Sequence, residues 1–316
     1  MGYELLLAYL LDIILGDPRS WPHPVRWLGR LISSLESPLR RTFARPRLAG
    51  VALALICLAI TAGSATLVVY LASGLHPLLG AAAGVILIYW AISVKDLADH
   101  AWAVYHPLSR GDLPGAREAL TNIVGRETFE LSEAGIIRAT VETIAENTVD
   151  GVLSPLFYAA LGGPVMVWVY KTVSTLDSMV GYKQEPYREY GWAGARLDDL
   201  FNWLPARLSG VFFTLAAWLT GLDGRRAWKI FRRDGRLHAS PNAGWPEAAM
   251  SGALGLRLGG PNVYHGELVP KPWIGDGLQE PVTQDILRAI HLLYVVSGLA
   301  VIFFASMSLL VKMLLT

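Results

Sequence analysis

Apolar residues fall in long uncharged runs, separated by polar stretches crowded with Arg, Trp, Pro and Gly. The runs at 48–73, 77–94 and 290–315 match the ~20 residues that carry a helix across a hydrocarbon core. Only a few residues part the first two, so they form a tight hairpin. A run at 152–176 is interrupted by Pro155, by Gly162-Gly163-Pro164 and by Lys171, which predicts a broken or re-entrant element. A fifth run covers 203–222. The stretch 3–15 is short for a span and carries Glu4 and Asp12, so it reads as a tilted or interfacial helix. The pattern predicts an all-α, polytopic membrane protein with about five apolar membrane segments. Residues 1–316 are expected to form a single integral membrane domain, with polar loops at 16–47, 95–151, 177–202 and 223–289.

Composition agrees. The chain is 53% hydrophobic and 17% charged, more apolar and less charged than an ordinary globular domain. Its 27 Lys and Arg against 26 Asp and Glu argue neither for nor against a nucleic-acid partner; none is expected. The Arg-rich loops 16–47 and 223–236 are cytoplasmic by the positive-inside rule. Lone Cys57 sits in an apolar run and reads as a small buried hydrophobe. The start of the chain lacks the basic region of a secretory signal peptide.

The polar stretches carry the candidate chemistry. Glu142, Glu146 and Asp150 recur every four residues, so a straight helix stacks them on one face, with Asn147 beside them. Like charges at this spacing repel, and their retention points to a cation. A second cluster holds Asp177, Lys183, Arg196, Asp198, Asp199 and Asn202. Two carboxylates and an amide on one helical face suit Mg²⁺, a hard cation that takes oxygen ligands and bridges to phosphate. A third cluster gathers Asn242, Glu247, Tyr264 and His265, with Lys271 and Asp276 beyond. In the first loop, Asp17, His23, Arg26 and Arg30 stand among Trp21 and Trp27. That loop reads either as an interfacial segment or as an anion site. Each cluster has a plain alternative as caps, turns and interfacial ion pairs, but charge at membrane depth is usually functional. The sequence has no GxxxxGK[ST], HExxH, CxxC or GxSxG. P-loop, zinc and serine-nucleophile chemistry therefore have no signature here. What remains is metal-assisted group transfer on a phosphate or carboxylate.

Six motifs, in order, carry a resemblance. They are GDPRSWPHPVRWLGRLI, ETIAENTVDGVLSPLFY, YKTVSTLDSMVGYK, GARLDDLFNWLPARLSG, RDGRLHASPNAGWPEAAMSGALGLRLGG and KPWIGD. Together they resemble the adenosylcobinamide-phosphate synthase family, integral membrane enzymes of cobalamin biosynthesis. The resemblance implies an ATP- and Mg²⁺-dependent ligase in the prokaryotic cytoplasmic (inner) membrane. It would join aminopropanol, as its phosphate, to a propionate of adenosylcobyric acid, giving adenosylcobinamide phosphate. Other late cobalamin-assembly membrane enzymes become candidate partners, beside the lipid bilayer.

Set on that reaction, Glu142, Glu146, Asp150, Lys183 and His23 are the expected catalytic residues. Asp17, Arg26, Asn147, Arg196, Arg207, Asn242, Glu247, Tyr264 and Lys271 are expected to bind substrates. Glu146, Asp150, Asp198, Asp199 and Asn202 are expected to hold the metal. Two other classes stay open. One is a Mg²⁺-dependent intramembrane transferase acting on a diphosphate. The other is a non-catalytic membrane sensor or transporter.

Overall fold

The computed structural model describes residues 2–315 apart from Arg19, Arg126, His265, Gly266 and Leu278, with the backbone alone over 262–269 and at 315. The chain opens with α1, Gly2–Leu15, and α2, Pro24–Thr42. Helices α3, Pro46–Leu75, and α4, Pro77–Tyr89, follow. His76 ends α3 and caps α4, its ring accepting from the Leu78 N–H at 3.2 Å; this is the expected hairpin. A turn at 90–93 precedes α5, Val94–Ser109, so α4 ends five residues before the expected run does. Next is α6, Leu113–Thr121, where the Asp112 carboxylate accepts from Gly115 N–H and Pro fits the first turn. Helix α7, Glu133–Thr148, starts at a Ser132 cap and passes into a π-helical turn, Val149–Leu153.

Helix α8, Ser154–Val180, follows, then α9, Trp192–Phe201, and α10, Trp203–Leu219. Helices α11, Gly224–Asp234, and α12, Gly244–Leu254, come next. Two small antiparallel ladders separate α12 from α13: β1, Leu258–Gly259, pairs with β4, Trp273–Ile274; β2, Asn262–Tyr264, pairs with β3, Glu267–Val269. The last helix is α13, Gln284–Leu315.

This is an all-α polytopic membrane protein. Among the described residues, four stretches are long and apolar enough to cross a membrane: Pro46–Leu75, Pro77–Ser109, Glu133–Val180 and Gln284–Leu314. Two of the expected segments are shorter. The 14 residues of α1 and 17 of α10 rise only ~21 and ~26 Å at 1.5 Å per residue, under a ~30 Å core. The predicted interruption in the 152–176 run is present. Gly162 (φ −142°, ψ 20°) and Gly163 (φ 64°, ψ −154°) leave helical geometry just before Pro164. A positive φ is one that only glycine adopts without strain, and Pro164 cannot donate back into the ladder.

The chain divides into two compact units, each discontinuous. The first comprises Met1–Ser93, Ser154–Asn202 and Val301–Thr316; the second comprises Val94–Leu153 and Trp203–Ala300. In the first unit, Leu28 and Ile32 of α2, Leu53 and Cys57 of α3, and Leu176 of α8 share one core with Tyr190. Cys57 is buried, as its apolar setting predicts. Gly50 lets α3 approach the 181–191 loop, because a Cβ there would meet the Tyr190 carbonyl oxygen at 1.7 Å. On the outward side of α3, Leu55, Leu67, Val68 and Leu71 are exposed, the surface a bilayer would cover. In the second unit, Ile230 of α11, Ala248 of α12 and Ile274 of β4 form a smaller core.

Candidate functional site

The acidic face of α7 begins as the spacing predicts and then changes. Glu142 is half-buried, and its Oε1 accepts the Gly259 N–H of β1 at 2.7 Å. Glu146, one turn on, is exposed. Asp150 falls inside the π-helical turn. There the i→i+5 pattern inserts a residue, so the straight three-carboxylate stripe holds for Glu142 and Glu146 and is re-aimed at Asp150. Asn147 turns its amide back onto the Thr143 carbonyl at 2.9 Å.

One turn before Glu142 stands Arg138. Its guanidinium lies 4.9 Å from the centre of the Trp273 ring and that of Arg257 lies 4.8 Å from it. Arg138 Nε also donates to the Arg257 carbonyl at 3.1 Å. The sequence reading missed this group, although Trp273 stands in KPWIGD and Arg138 opens the acidic stretch. The contact links residues 119 apart, beyond what helical spacing reaches.

The second unit also gathers the predicted Arg207, Asn242 and Glu247. Arg207 donates to Asn242 Oδ1 at 3.0 Å and to the carbonyls of Trp203 and Pro241 at 2.7 and 3.3 Å. Its guanidinium also packs on the rings of Trp203 and Trp245. Buried Glu247 faces His238 Nε2 at 3.9 Å, while His238 Nδ1 accepts the Ser240 N–H. Asp276 is held by Arg233 at 2.6 Å, and Arg233 also pairs with buried Asp234. Burial alone would raise the Asp234 pKa, but hydrogen bonds from Arg233 and from Gly275 N–H outweigh it and hold it below the usual aspartate range. Hydrogen bonds to Asp234 and Asp276 push the Arg233 guanidinium up. Lys271 is half-buried. The side chain of Tyr264 and the whole of His265 lie outside the described residues.

In the first unit the opening loop folds on itself. His23 caps α2, Nδ1 accepting from Val25 N–H at 3.2 Å, and its Nε2 lies 3.7 Å from Asp17. Arg26 donates to the Trp21 carbonyl. Lys183 is exposed in the loop after α8. Arg196 pairs with Asp199 at 3.4 Å. Buried Asn202, the C-cap of α9, ties α9 to α8. Its Oδ1 accepts from Ser154 Oγ at 2.6 Å and from Tyr170 Oη at 3.1 Å, and its Nδ2 donates to Asp198 at 3.1 Å. Tyr158 stacks on Tyr170 and donates to the Phe201 carbonyl at 2.8 Å.

These contacts test the donors for Mg²⁺. Among the described residues, no three His, Cys, Asp or Glu side chains are gathered as a ready-made metal set. Mg²⁺ needs no such cage, since it usually takes one or two carboxylates and completes its shell with phosphate oxygens and water. Glu146 and Asp150, successive on α7 and its π-helical turn, fit that demand. Asn202 does not: both lone pairs of its oxygen already take hydrogen bonds. An Asp-Asp-x-x-Asn spacing is equally what a buried structural amide requires, and the sequence alone has no means of separating the two.

Comparison with known proteins agrees with the motifs. The model of the family described as CobD/Cbib protein matches residues 5–293. The chain is 50% identical to "Cobalamin biosynthesis protein CobD" of Klebsiella pneumoniae over 94% of each chain. It is 49% identical to the protein of that name from Geobacter metallireducens, over 97% of this chain and 96% of the relative. It is 47% identical to "Cobalamin biosynthesis protein CbiB" of Salmonella typhi, over 94% of each. No solved structure matches. Continuous over nearly the whole chain and well above 30% identity, these matches show that the protein belongs to the CobD/CbiB family of cobalamin biosynthesis proteins.

Proposed function

We propose that the protein is an adenosylcobinamide-phosphate synthase of the prokaryotic inner membrane. It joins aminopropanol, as its O-phosphate, to a propionate carboxylate of adenosylcobyric acid at the expense of ATP. The observation that carries this reading is the match to cobalamin biosynthesis proteins along almost the full chain. The half-buried and exposed carboxylates of α7 support it from the chemical side.

A carboxylate is a poor acyl donor, so it must be activated. In the proposed sequence a propionate oxygen attacks the γ-phosphorus of ATP and ADP leaves. The amine nitrogen then attacks the acyl carbon, inorganic phosphate departs, and the nitrogen gives up a proton. Bound Mg²⁺ would neutralise charge on the phosphates, and Glu146 and Asp150 would hold it. Glu142, fixed by Gly259 N–H, would act as the general base of that face. Arg207, whose guanidinium already serves two carbonyls and Asn242, is better suited to holding the 236–247 segment in shape. The diphosphate-transferase alternative needs the Asp198-Asp199-Asn202 face as a metal site, and the engaged Asn202 counts against it.

The test is nutritional and direct. A cobalamin-requiring strain deleted for this gene is expected to grow on cobinamide and fail on cobyric acid. The purified chain is expected to form the amide only when ATP and Mg²⁺ are both present. Growth of the deletion strain on cobyric acid would remove the proposal.

A further inference from the structure

The pair of arginines around Trp273 has no part in the reaction as outlined. We infer that Arg138, Arg257 and Trp273 form an anion subsite that takes the polyphosphate of the nucleotide. This deepens the ATP-dependent reading above and rests on it.

The ring is held firmly. Trp273 is paired with Gly259 in the β1–β4 ladder. It lies so close over Gly260 that a Cβ there would meet the ring at 2.5 Å. Against this ring stand two guanidinium groups at 4.9 and 4.8 Å. Each exposed cation–π contact contributes only about 0.5–1 kcal/mol, while two like charges sharing one ring repel. Glu280 is 3.9 Å from Arg138 and 80% exposed. Glu142 accepts the Gly259 N–H. Arg257 is exposed and has no carboxylate partner among the described residues. A multi-oxygen anion relieves the repulsion and gives each planar fork two acceptors.

Location selects the anion. Arg138 precedes Glu142 by one turn of α7, and Glu142 binds the residue paired with Trp273. The cationic platform is thus fastened to the head of the acidic face that continues to Glu146. A metal-bound polyphosphate needs that juxtaposition, with arginines for its oxygens and carboxylates for its cation.

The experiment uses the full chain in detergent, with binding measured calorimetrically for tripolyphosphate, ATP and aminopropanol phosphate. Arg257→Gln is expected to weaken tripolyphosphate and ATP by about 10-fold or more and to raise the KM for ATP. The KM for aminopropanol phosphate is expected to stay where it was. Trp273→Phe, which keeps an aromatic ring, is expected to lose less. Arg257 is exposed, so the variant should unfold at the wild-type temperature, which separates a lost contact from a lost fold. Unchanged tripolyphosphate affinity in Arg257→Gln, absence of binding by the wild type, or a loss confined to aminopropanol phosphate would each overturn the subsite. If amide formation proceeds while Arg257→Gln binds and turns over ATP normally, the subsite alone fails. If tripolyphosphate binds through Arg257 but no amide forms, the ligase reading fails and the subsite stands.

Discussion

Two helices carry the acidic clusters of this protein, and they use their polar groups in opposite ways. On α7, Glu146 is exposed, Asp150 sits in a π-helical turn, and Glu142 accepts a backbone N–H. On α9, Asp198 is bound by Asn202, Asp199 faces Arg196, and Asn202 is buried between the hydroxyls of Ser154 and Tyr170. Similar spacings of Asp, Glu and Asn thus serve two ends. One face presents carboxylates, and the other closes a hydrogen-bonded network. The difference arises from the neighbours. Ser154 and Tyr170 on α8 supply two donors to one amide oxygen, and the π-helical turn re-aims the end of the α7 face. Such turns recur at functional sites.

The comparison is open to direct challenge. The largest effect is expected from Glu146→Gln, which removes a carboxylate from the presenting face. Amide formation should fall roughly 100-fold or more and lose its ordinary dependence on Mg²⁺ concentration, with thermal unfolding unchanged. A variant with undiminished rate would put the two helices on an equal footing. Asn202→Ala should do the reverse. It removes the acceptor shared by two buried hydroxyls, which costs about 1–3 kcal/mol, and it should lower the unfolding midpoint in detergent. Rate per folded molecule, measured well below that midpoint, should change far less. If the rate collapses while the midpoint holds, α9 is chemistry after all.

The smallest effect concerns a carboxylate fixed more firmly still, Asp234. Its pKa is lower in the folded chain than unfolded. Its contribution is therefore complete above the ordinary aspartate range, near pH 4, and disappears as pH falls through the lower folded value. An unfolding midpoint followed from pH 6 to pH 3 should drop at the acid end, and Asp234→Asn should flatten that drop. An unaltered profile in the variant would assign the acid sensitivity to other carboxylates.

Much of the fold is written locally. The long apolar runs, the α3–α4 hairpin, the Asp112 cap and the interruption at Gly162-Gly163-Pro164 each follow from residues adjacent in the chain. Length is less local: α10 stops short of the expected span, whereas α1 is short as its brief apolar run predicts. The site is harder to read because its meaning lies in partners far apart. Asn202 resembles a metal ligand until Ser154, 48 residues earlier, is found bonded to its oxygen. Arg138 and Arg257 are unremarkable in sequence until one tryptophan is found between them in space. The π-helical turn has no residue signature at all, so the re-aiming of Asp150 could not be anticipated.

The interleaving of the two units has a consequence for how the molecule is made. The unit that begins at the first helix takes its final piece from the second half of α13. The unit between needs segments on both sides of α8. Neither is a single uninterrupted segment of the nascent chain, and each includes part of α13. Assembly must therefore wait in the bilayer for the last helix to be synthesised, with half-built surfaces held by lipid and insertion machinery in the meantime. A ribosome that stalls before α13 leaves neither unit complete, and the quality-control proteases of the membrane receive a substrate with both cores open.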